Sequence, residues 1–357
     1  MRALVTGGGG FLGSAIARQL KAQGFEVISF SRHPHPHLKA SGIPQFQGSL
    51  EDREPIIEAT RGCDIIFNVA AKAGIWGSYE SYHAANVTGT RNVLDACRVH
   101  GITRLVHTSS PSVVFDGTDM EGVDESVPIA SHFVSHYPKT KAMAEQLVLD
   151  ANSPTLATTA LRPHLIWGPG DNHLVPRILE KGRKGQLKRI GSRPCKVDSV
   201  YIDNAAEAHV LAANRLQPGS PNAGKAYFIS NGEPLPVWDL VNAILACDSQ
   251  PPVKGSVPTW LAYGAGAFLE FVHGAFGITR EPRMTRFVAK ELSSAHWFDI
   301  SASEKDFGYR PRISIEEGLA RRNRFLQPPP LRQQRIASLA QLLTLLQLQL
   351  QPCQKNP

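Results

Sequence analysis

The feature that most constrains this chain is a glycine-rich turn close to its N-terminus, with glycines at positions 7, 10 and 13. The turn follows an apolar run at residues 2–6, which is typical of a buried strand, and precedes Leu12, Ile16 and Leu20 at helical spacing. Glycines in this pattern allow a tight turn, close approach of the backbone to a pyrophosphate, and packing of a helix on a strand. Strand, turn and helix together predict a dinucleotide-binding unit rather than a glycine-rich linker.

Alternation of strands and helices extends this prediction over the first half of the chain. Segments at 26–30, 44–47, 63–69, 104–108 and 158–162 are typical of strands, and residues 86–100 have the spacing of a helix. We expect an α/β fold, with a Rossmann-type doubly wound parallel sheet in residues 1–163. Residues 164–327 are expected to form mainly a smaller C-terminal substrate-binding subdomain, with some segments returning to the sheet, and residues 328–357 a low-complexity tail.

The end of the second predicted strand indicates which dinucleotide binds. A site that prefers NAD places an acidic residue there to hold the ribose hydroxyls, whereas this chain has Ser31 and Arg32. A hydroxyl and a cation at this point suit the 2′-phosphate of NADP(H). NADP(H) is therefore the favoured cofactor, with NAD(H) as the alternative. A solvated loop position for Arg32 is the competing interpretation.

Tyr137 and Lys141 are four residues apart at the start of a predicted helix, so one turn places both on the same face. A lysine cation close to a phenol favours the phenolate, and we expect Lys141 to lower the pKa of Tyr137 towards neutrality. The spacing alone is common by chance. It becomes informative here because parallel strands bring Ser110, Tyr137 and the glycine turn to the same edge of the sheet.

Composition and charge argue against several other classes of function. A net charge of +7, with no basic run interleaved with aromatic residues, gives no support for nucleic acid binding. The five cysteines are far apart and lack the Cys-x-x-Cys pattern, so neither a zinc site nor a disulfide framework is expected. Histidines at 33, 35 and 37 alternate in a proline-stiffened loop without an acid, and we predict no metal site there. These features, with an N-terminal apolar run only as long as a strand, favour a cytoplasmic protein.

The motifs together resemble those of the extended short-chain dehydrogenase/reductases, from residue 1 to about residue 319. They are Thr6-Gly7-Gly8-Gly9-Gly10-Phe11-Leu12-Gly13, Asn68-Val69-Ala70-Ala71, Asn86-Val87-Thr88-Gly89-Thr90, Thr108-Ser109-Ser110, Tyr137-Pro138-Lys139-Thr140-Lys141, Arg162-Pro163 and residues 200–205. Within that family the chain is similar to the 3β-hydroxysteroid dehydrogenase branch. More narrowly, residues 110–117, 161–173 and 285–292 resemble bacterial 2-alkyl-3-oxoalkanoate reductases of olefin biosynthesis.

This resemblance implies roles for individual residues. Tyr137 would be the general acid that protonates the substrate carbonyl oxygen, Lys141 would hold the nicotinamide ribose, and Ser110 would orient the carbonyl. The implied cofactor-binding residues are Gly7, Gly10, Phe11, Leu12, Gly13, Ser31, Arg32, Leu50, Ala70, Ala71, Asn86, Tyr137, Lys141 and Pro163. Many relatives have an aspartate after the glycine that follows the third strand. Here Ser49 and Leu50 follow Gly48, which leaves the adenine contact weaker or served by Asp52.

The implied reaction is reduction of the 3-keto group of a hydrophobic 2-alkyl-3-oxoalkanoate to the 3-hydroxy acid. Lys72 and His164 are candidate contacts for the substrate carboxylate, and Trp76 and Trp167 for the acyl chain, with surface or core positions as the alternatives. A 3β-hydroxysteroid or sterol dehydrogenase, and a cofactor-retaining epimerase or dehydratase, are the competing functions. A non-catalytic cofactor-binding scaffold is disfavoured because the serine, tyrosine and lysine are all present.

The most apolar long stretch lies at residues 260–276. Glu270 and His273 interrupt it, so we expect that it does not span a bilayer. It is expected to form either a wall of an acyl groove or a buried core helix, and it is a candidate contact for a membrane surface or a pathway enzyme. Contact of this stretch with a membrane surface would make the protein peripherally associated with the membrane. We further expect a homodimer.

Overall fold

The computed structural model describes the backbone of residues 1–326 and the side chains of residues 1–322, so the predicted tail at 328–357 lies outside the described residues. The strands are β1 (Arg2–Thr6), β2 (Glu26–Ser31), β3 (Gln45–Gln47), β4 (Ile65–Asn68), β5 (Arg104–Thr108), β6 (Met120–Val123), β7 (Ala157–Pro163), β8 (Ile166–Trp167), β9 (Arg189–Ile190), β10 (Lys196–Val197), β11 (Val200–Tyr201), β12 (Lys225–Ile229), β13 (Leu235–Pro236), β14 (Ser256–Val257) and β15 (His296–Phe298). The α-helices are α1 (Phe11–Ala22), α2 (Pro36–Ala40), α3 (Arg53–Ala59), α4 (Tyr79–Tyr82), α5 (Gly89–His100), α6 (His136–Asp150), α7 (Leu174–Arg183), α8 (Ile202–Arg215), α9 (Val237–Ala246), α10 (Thr259–Ala275), α11 (Arg286–Glu291), α12 (Ser301–Phe307) and α13 (Ile315–Leu326).

Within the described residues, seven parallel strands form the central sheet in the order β12-β7-β5-β4-β1-β2-β3. The chain moves outwards on one side from β1 through β2 to β3, and on the other side from β4 through β5 and β7 to β12. The strand order therefore reverses between β1 and β4. Ligands bind at such a reversal, beyond the carboxyl ends of the strands. This topology confirms the predicted Rossmann-type doubly wound sheet.

Both faces of the central sheet are covered, as the apolar character of its strands requires. Alternate residues of β1 point to opposite faces. Ala3 and Val5 pack in the core that contains residues of α1 and α8, whereas Leu4 packs in the core that contains residues of α3 and α5. All three side chains are fully buried. Burial on both faces fixes the carboxyl ends of the strands relative to each other.

A smaller sheet has the strand order β13-β10-β15-β6. Its strand β6 comes from the first half of the chain, while β12 from the second half completes the central sheet. The boundary expected at residue 163 is therefore crossed in both directions. The parallel pairing of β15 with β6 places His296 opposite Met120, which brings residues from the last part of the described chain close to the segment after Ser110.

The helix predicted at 86–100 begins earlier than its sequence pattern indicates. A π-helical turn at His83–Thr88 joins α4 to α5, so the three segments form one continuous helical stretch. Turns of this kind are frequent at functional sites. This one contains Asn86, whose contacts are described below.

Candidate active site

A cavity of about 780 Å³ lies along the carboxyl ends of the central strands. Residues that follow β1, β2, β3, β4, β5 and β7 contribute to its walls, as do the first turns of α1 and α6. The predicted cofactor-binding residues that line it are Gly7, Gly10, Phe11, Leu12, Gly13, Ser31, Arg32, Leu50, Ala70, Ala71, Tyr137, Lys141 and Pro163. The reversal of strand order thus brings together residues that are more than a hundred positions apart.

The glycine turn has the geometry that a pyrophosphate needs. Gly7 has a φ of 66°, in the left-handed region that glycine adopts without strain, and its carbonyl accepts the N–H of Gly10 at 2.8 Å. A Cβ atom on Gly13 would lie 2.2 Å from the Gly7 carbonyl oxygen, so α1 can approach the turn this closely only at a glycine. The N-terminal amides of α1 then face the cavity. These residues fit a dinucleotide cofactor.

A buried polar network, which no local pattern in the sequence predicts, fixes the strands on either side of the reversal. Thr6 Oγ1 donates to Asn68 Oδ1 at 3.0 Å and accepts the N–H groups of Val69 and Ala70, each at 3.0 Å. Ala70 is thereby held against Gly7, where an added Cβ would lie 3.0 Å from the Ala70 Cα. Thr6 and Asn68 therefore position the cavity wall without lining it.

Ser31 and Arg32, the residues expected to hold a 2′-phosphate, lie at the rim of the cavity after β2. The Ser31 hydroxyl donates to the carbonyl oxygen of His33 at 2.9 Å. Arg32 is exposed, and among the described residues its guanidinium forms no hydrogen bond or ion pair. The cation is therefore free to meet an anionic ligand.

The loop after β3 forms the neighbouring wall. Leu50 lines the cavity as predicted, together with Ser49 and Glu51. Asp52 lies outside the lining and directly precedes α3. Of the two alternatives for the adenine contact, this position favours a weaker contact over one served by Asp52.

The histidine-rich loop covers the glycine turn. A Cβ atom on Gly9 would lie 1.9 Å from the His35 ring, and the His35 backbone N–H donates to Gln45 Oε1 at 2.7 Å. Burial, and then the neighbouring His37 and His33, lower the pKa of His35. In the part of the chain that the structure describes, no three histidine, cysteine, aspartate or glutamate side chains are grouped so that they could hold a metal ion.

The first turn of α6 places Tyr137 and Lys141 on the cavity. Lys141 is buried and donates to the carbonyl oxygen of Thr108 at the end of β5, and burial lowers its pKa to about 8. Burial raises the pKa of Tyr137, while the Ser110 hydroxyl lowers it and the Glu291 carboxylate raises it further. The expectation that Lys141 lowers the pKa of Tyr137 is therefore corrected. The lysine charge is held on the Thr108 carbonyl, and the phenol keeps its proton.

A protonated phenol is the form that a general acid needs. Ser110 Oγ lies 2.9 Å from Ser112 Oγ and accepts the Ser112 backbone N–H at 3.2 Å, which fixes its position after β5. Ser110 and Tyr137 both line the first cavity and also a second cavity of about 230 Å³. They lie where the two cavities meet. A carbonyl oxygen at this junction could receive hydrogen bonds from both hydroxyls.

The second cavity is built in part from residues close to the end of the described chain. Its aromatic and aliphatic walls include Ile75, Phe115, Phe287 and Phe298, and its polar groups are Ser110, Ser112, Tyr137, His164, Glu291 and His296. Glu291 is the last residue of α11, and His296 is the first residue of β15. Glu291 and His296 were not predicted as site residues, because nothing local in the sequence shows that this segment folds back beside Ser110. The spacing of four residues between Phe287 and Glu291 is a local signal for Glu291, and no such signal exists for His296.

Lys72 and Asn86 are linked to each other. Lys72 lines the first cavity, where its ammonium group donates to Ser81 Oγ at 2.6 Å and lies 5.0 Å from the centre of the Tyr82 ring. Asn86 is buried, accepts the Lys72 backbone N–H at 2.7 Å and donates to the Lys72 carbonyl at 3.2 Å. Asn86 therefore holds the backbone of the cavity wall, and its direct contact with the cofactor stays a prediction.

The two tryptophans expected to line an acyl groove lie elsewhere. Trp167 is fully buried, packs edge-on against Tyr201 and donates to Ser199 Oγ at 3.0 Å, so it belongs to the core. Trp76 donates to the carbonyl oxygen of Ile278 at 2.9 Å and lies outside the lining of both cavities. Trp167 therefore has the core position that was its alternative interpretation, whereas the acyl contact of Trp76 stays a prediction. His164, the other substrate-side candidate, does line the second cavity.

The apolar stretch at 260–276 forms α10, whose outer face is exposed. Trp260, Phe268 and Phe271 are 74%, 66% and 72% exposed. The inner face contacts the start of α11 at Gly266, where a Cβ atom would lie 2.6 Å from the Thr285 carbonyl carbon. Phe268 and Phe271 therefore belong neither to the core nor to the two cavities. Among the described residues, no helix is both long enough and apolar enough to cross a membrane.

We expect that replacing Phe268 and Phe271 together by alanine changes the free energy of unfolding by only ~0.5 kcal/mol per site, because both rings are exposed. Urea unfolding followed by circular dichroism measures this. Phe287→Ala is the matched control, since that ring is buried and its loss should cost ~3–5 kcal/mol. A double variant as unstable as the control would show that the outer face of α10 is packed.

Known proteins resemble this chain in both sequence and fold. The sequence matches the model of the 3-beta hydroxysteroid dehydrogenase/isomerase family over residues 4–253. The chain belongs to this family. It is 52% identical to the 2-alkyl-3-oxoalkanoate reductase of Shewanella oneidensis, over 89% of this chain and 84% of that protein. It is 33% identical to the decarboxylating sterol-4-alpha-carboxylate 3-dehydrogenase of Mus musculus, over 89% of this chain and 88% of that protein.

The solved structures agree with the fold. The UDP-glucose 4-epimerase of Thermus thermophilus in complex with NAD has a TM-score of 0.69 to this chain at 24% identity, and the match covers 91% of this chain and 98% of the epimerase. As a member of the 3-beta hydroxysteroid dehydrogenase/isomerase family, the chain is an NAD(P)-dependent oxidoreductase that acts on CH–OH and C=O groups. This confirms the predicted family and enzyme class.

Proposed function

We propose that this member of the family uses NADPH to reduce the 3-keto group of a 2-alkyl-3-oxoalkanoate to the 3-hydroxy acid. The observation that carries the proposal is 52% identity, over 89% of the chain, to a protein named 2-alkyl-3-oxoalkanoate reductase. The site supports it, because Ser110 and Tyr137 lie between a cavity that suits a dinucleotide and a second cavity with aromatic walls. A hydrophobic keto compound in the second cavity would present its carbonyl to both hydroxyls.

The bound dihydronicotinamide supplies a hydride to the carbonyl carbon of the substrate. The N–H groups of the glycine turn bind the pyrophosphate, and Lys141 binds the nicotinamide ribose. Ser110 donates a hydrogen bond to the carbonyl oxygen, and Tyr137 transfers its phenolic proton to that oxygen as negative charge develops there.

The preference for NADPH rests on Arg32. We expect Arg32→Ala to weaken NADPH binding by ~1.5–3 kcal/mol, the scale of a charge-assisted hydrogen bond, and to leave NADH binding nearly unchanged. Titration calorimetry with each cofactor measures the two dissociation constants. Lys39→Ala is the matched control, because Lys39 is an exposed cation on the following helix outside the cavity lining. Equal losses for NADPH and NADH would refute contact with the 2′-phosphate.

The similarity to a sterol-4-alpha-carboxylate 3-dehydrogenase favours a second candidate, oxidation of a 3β-hydroxysterol. The two functions are separated by following NADPH oxidation with a long-chain 2-alkyl-3-oxo acid beside NAD(P)⁺ reduction with a 3β-hydroxysteroid. We expect continuous NADPH oxidation with the oxo acid. Turnover of the steroid alone would select the second candidate. An absence of net cofactor turnover, with a sugar nucleotide converted instead, would point to a cofactor-retaining epimerase or dehydratase.

A further inference from the structure

The second cavity contains a chain of buried hydrogen bonds that is not explained by the proton transfer at Tyr137. Nδ1 of His164 and Oδ1 of Asp198 are 2.5 Å apart, and Nε2 of His164 and Nδ1 of His296 are 3.2 Å apart. Nε2 of His296 is 2.9 Å from the carbonyl oxygen of Glu291, and Asp198 Oδ2 accepts the N–H of Phe298 at 3.0 Å. The side chains of both histidines and of Asp198 are buried.

The two ends of this chain fix the positions of its protons. The Glu291 carbonyl can only accept, so His296 carries hydrogen on Nε2. Burial, with His164 as the next cause, lowers the pKa of His296 to about 4, so this ring is neutral and its Nδ1 is an acceptor. His164 can then donate from Nε2 to His296, while its Nδ1 and Asp198 Oδ1 share a hydrogen bond. His164 therefore lies on the cavity wall as one half of a hydrogen-bonded pair, with Asp198 behind it.

The Glu291 carboxyl group lies on the same cavity, and within the described residues it forms no hydrogen bond or ion pair. The titratable groups that face it from other elements are Tyr137 on α6, His164 after β7 and His296 on β15. On its own helix, Arg286 is paired with Glu270, and the Lys290 ammonium lies 5.9 Å from the centre of the Tyr263 ring. Burial raises the pKa of Glu291 to about 7, and the charge of His164 opposes this rise. The carboxyl group is therefore protonated below about pH 7 and ionised above it.

We propose that the second cavity binds the carboxylate of the oxo acid substrate between Glu291 and the His164–Asp198 pair. The Glu291 hydroxyl donates to the substrate carboxylate, so the two carboxyl groups share one proton. Two ionised carboxylates in this cavity would repel each other. The cavity adjoins Ser110 and Tyr137, which suits a substrate whose carboxylate is one carbon atom away from the keto group. This proposal rests on the proposed function.

The proposal predicts how substrate binding depends on pH. The raised pKa of Glu291 means that its binding-competent, protonated form is present below about pH 7 and is lost as the pH rises through this value. KM for the oxo acid should therefore be lowest at acidic to neutral pH and should increase about tenfold for each pH unit well above the pKa of Glu291. The methyl ester of the same acid carries no carboxylate, so its KM should stay constant.

Glu291→Gln tests the assignment, because the amide keeps a hydrogen-bond donor of similar shape and cannot ionise. With the oxo acid, this variant should have a KM close to that of the wild-type protein at pH 6 and at least about tenfold lower at pH 8.5. A constant wild-type KM for the acid across this range would overturn the proposal, and that measurement does not depend on the variant being folded. Equal increases in KM for acid and ester in Glu291→Gln would also overturn it. If the wild-type protein reduced neither compound, the proposed function itself would fail.

Discussion

Replacing Tyr137 by phenylalanine is expected to lower kcat for the oxo acid by at least ~10²-fold, with little change in NADPH binding. Only the hydroxyl is removed, while the ring keeps its place on the first turn of α6, with its centre 6.5 Å from that of the Tyr82 ring. Because burial keeps Tyr137 protonated, the lost group is the proton donor itself. Steady-state NADPH oxidation gives kcat, and fluorescence titration gives the dissociation constant of NADPH.

Tyr82→Phe is the matched control for this variant. The Tyr82 hydroxyl donates to the Trp76 carbonyl at 3.3 Å, and the residue lies outside the lining of both cavities. Its removal should leave kcat within a few-fold of the wild-type value. A Tyr137→Phe variant that retained near-normal kcat would contradict the assignment of Tyr137 as the general acid.

The second large effect is expected at Arg162, which joins β7 to the catalytic helix. Its guanidinium forms a bidentate pair with Glu145 on α6, at 2.9 and 2.6 Å, and the two side chains are only 5% and 0% exposed. Arg162→Met would leave the Glu145 charge buried without this partner, and we expect the free energy of unfolding to fall by ~3–5 kcal/mol. Glu145 also raises the pKa of Lys141, so the loss of the Arg162 guanidinium should also change the electrostatic environment of Lys141 in the active site. Urea unfolding measures the change.

Two further variants distinguish the destabilisation caused by an unpaired buried charge from that caused by losing an arginine side chain. Removing both partners in Arg162→Met/Glu145→Leu should recover most of the stability, because no unpaired charge remains. Arg98→Met breaks the exposed pair with Asp95 and should cost no more than ~1 kcal/mol. If Arg162→Met were as stable as Arg98→Met, the buried pair would not hold α6 on the sheet.

The parts of the fold and site that could be predicted from sequence are those set by short-range patterns. The outer glycines of the turn, Gly7 and Gly13, are six positions apart, and Tyr137 and Lys141 are one helical turn apart. Local geometry therefore places them correctly once helix and strand are known. The strands predicted at 2–6 and 104–108 have the observed bounds, and the others differ by one or two residues at their ends. Apolar runs bounded by turn residues indicate the positions of the strands without any knowledge of tertiary contacts.

The remaining features depend on contacts between residues that are distant in sequence, which no local pattern indicates. The pKa of Tyr137 is raised, contrary to expectation, because the effect of burial, which no local pattern shows, outweighs that of the Ser110 hydroxyl. A tryptophan at position 167 is compatible with a binding site or with the core. Only the burial of Trp167 and its packing against Tyr201 show that it is a core residue. Glu291 and His296 reach the site through the pairing of β15 with β6, a contact between distant parts of the chain.

The most direct test of the central claim follows the hydride itself. NADPH carrying deuterium at the transferred position of C4 is incubated with the wild-type protein and a 2-alkyl-3-oxo acid, and the product is examined by mass spectrometry. We expect one NADP⁺ to form per 3-hydroxy acid, with one deuterium atom bound to C3 of the product. A 3-hydroxy acid without deuterium, or deuterium that stays in the cofactor with no net NADPH oxidation, would contradict it.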